Sequence, residues 1–168
     1  MLDAKGTDLE IRAMRPDDWP RVASIYEAGI ATGDATFETE APPWDSWDKG
    51  HLTEPRLVAS RAGAVVGWAA LSAVSERCVY QGVAEVSVYV DPAASGQGVG
   101  HAVLAALVEA SESAGIWTLQ TGIFPENSAS LALHQGCGFR IVGRREKIGQ
   151  MGDRWRDVIF LERRSPAI

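Results

Sequence analysis

Glu85 stands inside an apolar stretch, with Ala84, Val86, Val88 and Val90 alternating against Glu85, Ser87 and Tyr89 across 83–90. That period of two predicts a strand carrying a carboxylate on its less apolar face. A carboxylate so placed accepts protons, pairs with a buried arginine or sits solvated at an edge, and residue type alone leaves these open. Asp91-Pro92 stops the strand, and Gly96, Gly98 and Gly100 follow, interleaved with Gln97 and Val99 and succeeded by His101. Glycines there leave backbone N–H groups unobstructed at the mouth of an amphipathic helix, which predicts a pyrophosphate held by the amides from Gly96 to His101. The plainer reading is a turn that lets a helix pack close to a sheet. No Lys-Ser/Thr follows, which excludes a Walker A loop, and His101 breaks the dinucleotide-binding glycine pattern. His134 has apolar neighbours at helical spacing, where a lone histidine is most often structural. Arg77 and Tyr80 lie in a polar stretch that suits loop capping, although a guanidinium is also the group that forks onto a carboxylate.

The elements that must position these groups follow from periodicity and breakers. Leu9–Met14 reads as a strand, and Pro16-Asp17-Asp18 introduces a helix through Val22, Ile25, Tyr26 and Ile30, with acidic N-cap candidates. Thr36 to Thr39 falls in a loop. Pro42-Pro43 precedes a short helix with Trp44 and Trp47, which with Trp68 suit a core or a dimer contact. Leu57–Ser60 and Val65–Leu71 form a hairpin. Ser72–Gly82 is an irregular polar loop entering the central strand. After the central helix come a strand at Thr118–Phe124 and a helix from Pro125-Glu126-Asn127 through His134. A closing strand pair, Phe139–Lys147 and Arg154–Leu161, surrounds a turn at Gly149–Asp153. Strand pairing early and strand-helix alternation late predict an α/β fold, a mixed sheet with helices on its faces.

Composition bounds the rest. With 168 residues, 46% of them hydrophobic, one core and one domain spanning 1–168 are expected. A net charge of -6, with basic residues scattered, does not suit nucleic acid. Cys78 and Cys137, with no paired motif and no Cys/His cluster, imply neither disulfides nor a metal site, and the cytoplasm is the natural compartment. The N-terminal dozen residues are polar, and no apolar run approaches 18 residues, so neither a secretory leader nor a membrane span is expected.

The segment from Ser95 to His101 resembles motif A of the GNAT N-acetyltransferase superfamily, Gln/Arg-x-x-Gly-x-Gly/Ala, with Gly98 and Gly100 matching and Ser95 where Gln or Arg is usual. Asn127, Ser130, His134, Gly138 and Phe139 resemble its motif B. Arg77, Tyr80 and Glu85 before Val88-Tyr89-Val90, with Thr36-Phe37, His134 and the late Trp155-x-Asp157-Val158, resemble the phosphinothricin and methionine sulfoximine N-acetyltransferases over about residues 9–162. Gly82 departs from that subfamily, which commonly carries an aromatic there. The resemblance implies a mostly antiparallel sheet of about seven strands flanked by about four helices. It implies acetyl-CoA as cosubstrate, no metal, a small amino-acid-like acceptor and a homodimer. It further implies Glu85 as base, since the amine must lose a proton to attack, and His134 as proton or hydrogen-bond donor to the leaving thiol. Acceptor contacts fall to Phe37, Arg77, Tyr80, Glu85, Val86 and Ser87. Acetyl-CoA contacts fall to Val88, Tyr89, Val90, Gly96, Gln97, Gly98, Val99, Gly100, His101, Asn127 and Ser130.

Overall fold

A computed structural model describes residues 8–168; the polar segment before them, on which the leader expectation rests, lies outside the described residues. The elements in chain order are β1 (Leu9–Ala13), α1 (Trp19–Ala31), α2 (Trp44–Gly50), β2 (Arg56–Arg61), β3 (Ala64–Ala73), β4 (Val83–Val90), α3 (Val99–Ser113), β5 (Thr118–Ile123), α4 (Ser128–Gly136), β6 (Arg140–Met151) and β7 (Arg154–Arg164). One seven-stranded sheet runs β1-β2-β3-β4-β5-β7-β6. Among the described residues only β4 and β5 pair in parallel, joined through α3. The expected mixed, mostly antiparallel α/β architecture is therefore present.

The alternation in β4 serves two different layers. Ala84 and Val86 are buried with Val103, Leu104 and Leu107 of α3. Across the sheet, α1 and α2 supply Val22, Ile25 and Trp47 against Trp68 and Ala70 of β3. Trp47 and Trp68 are fully buried and Trp44 stacks on Trp47 with ring centroids 5.8 Å apart, so these tryptophans build the second core. Arg56 closes it from outside, 5.1 Å from the Trp47 ring and bonded to Asp48.

Three local expectations are corrected. Asp18 does not cap α1; its carboxylate turns back to the Arg15 N–H at 2.8 Å and accepts both ends of the Arg12 guanidinium. β3 continues through Ala73, and a single turn of 3-10 helix at Cys78–Tyr80 orders the polar loop after it. Gly149 is no turn residue, because β6 and β7 pair to Met151↔Arg154 around Gly152. An irregularity between Arg145 and Gly149 explains the long strand: Lys147 takes φ 46°, its N–H donates to Asp157 at 2.8 Å, and the ladder resumes at Gly149↔Arg156. Asp157 of the late motif thus holds a bulge.

Candidate active site

The turn between β4 and α3 is built by its own side chains. Asp91 accepts the Ala93 N–H at 3.0 Å and is clamped by Arg21, which also donates to the Val65 carbonyl. Gly96 and Gly98 adopt φ +72° and +82°, left-handed values that exclude most side chains, and a Cβ at either would meet open space. Gly98 caps α3, whose first helical bond runs from the Ala102 N–H to the Gly98 carbonyl at 3.1 Å. The amides of Val99, Gly100 and His101 consequently have no intrahelical acceptor, as for any helix start. Gly100 has another duty: a Cβ there would sit 3.2 Å from Leu133 of α4 and 3.4 Å from Val90, so it lets α3 close onto both. Gln97 is anchored, donating to the Ala93 carbonyl and accepting from Arg61 at 2.7 Å, which leaves its backbone rather than its side chain to a ligand. Ser95 is exposed, and its N–H donates to Pro92.

Beside this mouth the sheet opens. β4 pairs with β5 only over Val83–Glu85 against Thr118–Gln120. No residue of β4 beyond Glu85 is paired with β5. Glu85 sits at that fork, exposed, opposite Ser72 of β3 and Gln120 of β5. Among the described residues no hydrogen bond or ion pair engages its carboxylate. It lies inside the sheet rather than on an edge strand and pairs with no arginine among the described residues, and its exposure leaves the carboxylate in contact with solvent.

The remaining β4 residues divide by face. Val86 is buried, and Val88 and Val90 pack against the α3 core. Ser87 lies opposite Ala70. Tyr89 stacks on Trp68 at 5.0 Å and meets Tyr26 at 4.7 Å, and its ring covers Gly29 of α1 so closely that a Cβ there would fall 2.7 Å away. Burial raises its phenol far above the ordinary range, while its hydroxyl interacts with Thr36. Only the backbone of Val88–Val90 is thus left for a cosubstrate, and Tyr89 instead ties the Thr36 loop to the strand. In that loop Phe37 meets Phe124 edge-on, with centroids 4.9 Å apart, and its ring rests on Gly149, the glycine aligned by the bulge.

Arg77 and Tyr80 are together on the exposed 3-10 turn, the guanidinium 5.6 Å from the ring centroid. No ion pair occupies Arg77 among the described residues. Asn127 is committed at both ends: Oδ1 accepts the Ser130 N–H at 3.1 Å and Nδ2 donates to the Asp34 carbonyl at 3.1 Å. It therefore joins the start of α4 to the Thr36 loop. His134 is buried edge-on to Phe139, with Nδ1 2.8 Å from the Ser130 carbonyl. A carbonyl only accepts, so Nδ1 carries the hydrogen and the neutral ring has a lone pair at Nε2, which is buried without a partner. Burial lowers its pKa and outweighs the Ser130 bond. The donor role expected at the thiol needs the charged ring, which this environment opposes.

Two features escape the sequence reading. The volume that an aromatic at position 82 would take is filled by Trp117, whose ring comes within 2.0 Å of a Cβ built on Gly82. Arg156 is the other, buried beneath the Thr36 loop and paired with Asp34 and Glu126. Its sequence signal is a charge at an inward position of the β7 alternation, while Asp34 lies 122 residues away.

Residues 16–139 match the acetyltransferase (GNAT) family. A phosphinothricin N-acetyltransferase of Alcaligenes faecalis is 35% identical, with 91% of this chain and 81% of that protein covered. An L-methionine sulfoximine/L-methionine sulfone acetyltransferase of Pseudomonas paraeruginosa is 33% identical over 86% of this chain and 88% of its own. The crystal structure of a Sinorhizobium meliloti phosphinothricin acetyltransferase in complex with acetyl-CoA superposes with a TM-score of 0.83 at 30% identity, covering 93% of this chain and 88% of that one.

Proposed function

The chain belongs to the GNAT acetyltransferase family, and from that premise we propose that it acetylates the α-amino group of a small amino-acid analogue of the phosphinothricin, methionine sulfoximine or methionine sulfone type. The observation that carries this reading is an exposed, unpaired Glu85 at the fork where β4 leaves β5, beside a glycine-built helix mouth. Open amides and left-handed glycines fit a pyrophosphate. The amides of Gly96–His101 would hold it, with the backbone of Val88–Val90 alongside and Asn127 and Ser130 bordering from α4. Acetyl-CoA supplies the activated acetyl group.

An amine near neutral pH is mostly ammonium and attacks only after losing a proton. Glu85 accepts that proton, directly or through one water. A backbone N–H in the open part of β4, within Val86 to Val88, polarises the thioester carbonyl. Arg77 forks onto the acceptor's carboxylate, with Tyr80, Ser87 and Phe37 bounding its side chain. His134 takes at Nε2 the second proton that the nitrogen sheds as the tetrahedral intermediate collapses and passes it to the leaving thiolate, so the charged ring that burial disfavours is only transient. Transfer is direct in a ternary complex: Cys137 is a poor nucleophile because burial raises its thiol pKa, and Cys78 is exposed outside the fork. The domain is read as one unit over 1–168, acting in the cytoplasm on a small molecule. No helix of the described residues is long and apolar enough to cross a membrane. A homodimer is proposed through β6 and β7, where Ile141, Val142, Ile148 and Trp155 are exposed, with a doubled mass in light scattering as its test.

The deciding experiment compares kcat/KM across those analogues, an N-terminal peptide amine, a polyamine and an aminoglycoside, for wild type and Glu85→Gln. The analogues should lead, and Glu85→Gln should lower turnover at least roughly tenfold with acetyl-CoA binding little changed. Unchanged turnover removes Glu85 as base. Acetyl-CoA binding without turnover on any amine would make the chain a sensor.

A further inference from the structure

Among the described residues Arg156 is the one buried arginine or lysine, 2% exposed. Its Nη1 donates to the Gly33 carbonyl at 2.8 Å and lies 3.2 Å from Met151 Sδ. Its Nη2 donates to Asp34 at 2.8 Å and to Glu126 at 3.3 Å. The guanidinium carbon stands 3.8 Å from the centroid of Phe124. Phe124 in turn takes the edge of Phe37. One side chain of β7 thereby grips the backbone and carboxylate just before Thr36-Phe37, the start of α4 and the ring that supports Phe37.

A buried guanidinium is costly unless its partners are well placed, and an apolar side chain of similar volume would fill the same space at no such cost. What the apolar replacement lacks is the fork that fixes two groups at once. Met151 and Phe124 account for packing; Gly33 and Asp34 account for holding a loop. Asn127 holds the same loop at the Asp34 carbonyl, so residues 33–34 are tied from two elements. Asn127 also borders acetyl-CoA in the proposed reading, so the tie that belongs to the acceptor side alone is that of Arg156.

We propose that Arg156 is a positioning residue: through Asp34 and Phe124 it fixes the Thr36-Phe37 wall of the acceptor pocket and sets acceptor affinity, leaving acetyl-CoA affinity alone. The inference rests on the reading that the acceptor is bounded by Phe37. A merely structural Arg156 would lower the melting temperature and leave the ratio of the two KM values untouched.

The test uses the full chain with methionine sulfoximine and acetyl-CoA, in Arg156→Met, Arg156→Lys, Asp34→Asn and the Arg156→Met/Asp34→Asn double variant. Arg156→Met should raise acceptor KM about tenfold and acetyl-CoA KM less than about twofold. Arg156→Lys, which keeps the charge but not the fork, should fall between. Asp34→Asn should move the same way by less, and the double variant should be no worse than Arg156→Met alone. Amide exchange over 33–38 should quicken in Arg156→Met while that of β3 and β4 holds. Acceptor KM unchanged while melting temperature falls overturns the proposal, as does an equal rise in both KM values. Should Arg156→Met not fold, Asp34→Asn carries the same test, its carboxylate being 44% exposed and dispensable for packing. Should wild type acetylate no amino-acid analogue, the functional reading fails by itself, and exchange over 33–38 still decides: quickened supports the tie, unchanged overturns it.

Discussion

Gly82→Ala isolates one contact on which the site's frame depends. A Cβ at position 82 would lie 2.0 Å from Trp117 Cε3 and 2.3 Å from Cδ2 and Cζ3. Carbon atoms settle at about 3.5–4.0 Å, so the indole must retreat by about 1.5 Å. The Trp117 backbone cannot follow, because its N–H donates to the Gly82 carbonyl at 2.8 Å and its own carbonyl accepts from Ser165 at 2.8 Å. The ring therefore leaves its rotamer, and overpacking of this kind costs about 1–3 kcal/mol. Position 82 does not lie in the left-handed region, so alanine regains about 0.4–1 kcal/mol by restricting the unfolded chain. The net is a loss of up to about 2.6 kcal/mol, centred on about 1.3 kcal/mol, which is about 3–5 °C in Tm for a chain of this length. Urea unfolding followed by circular dichroism measures it, with Trp117→Ala as the second background. There Gly82→Ala should become neutral or stabilise by about 0.4–1 kcal/mol. Glu85 follows three residues later, in the strand that Gly82 leads into, so turnover should fall with stability in the first background only. Equal effects in both backgrounds refute the argument that Trp117 occupies the space of the missing aromatic.

Two further outcomes are expected. Burial holds the His134 pKa below its ordinary 6.5, so the unfolded chain binds the proton more readily, and the stability due to the neutral ring is present above pH 6.5 and lost as pH falls through the lower folded value. Tm should decline over that window and less so in His134→Phe, which keeps the packing on Phe139; the same variant should lower kcat about tenfold if Nε2 handles a proton, and unchanged kcat makes the residue structural. Arg77→Ala should raise acceptor KM about tenfold with acetyl-CoA KM unchanged, and a fall in acetyl-CoA affinity alone would show the guanidinium serving the wrong substrate.

The parts of the site legible in sequence are those fixed by residues close along the chain. The alternation over 83–90 and the glycines after it define a strand, a left-handed turn and a helix start from local sterics, and these elements stand where expected. Tyr89 shows where such reasoning stops: its parity with Glu85 is legible, but whether that face meets α1 or a cosubstrate depends on which layer folds over it, a contact set by Gly29 sixty residues earlier. His134 is intermediate. Its spacing from Ser130 allows the Nδ1 bond on any helix, yet the proton's preference follows from burial, which Phe139 supplies only after the chain turns at Gly138. Gly149 was misleading as a turn, and Gly82 was legible only as a departure from the subfamily, since each is small for the sake of a distant ring, Phe37 and Trp117. In each case the local pattern determines the backbone and a distant partner determines the chemistry. The proposed acceptor side, drawn from residues near 36, 77, 124 and 156, is for that reason the part that depends most on distant partners.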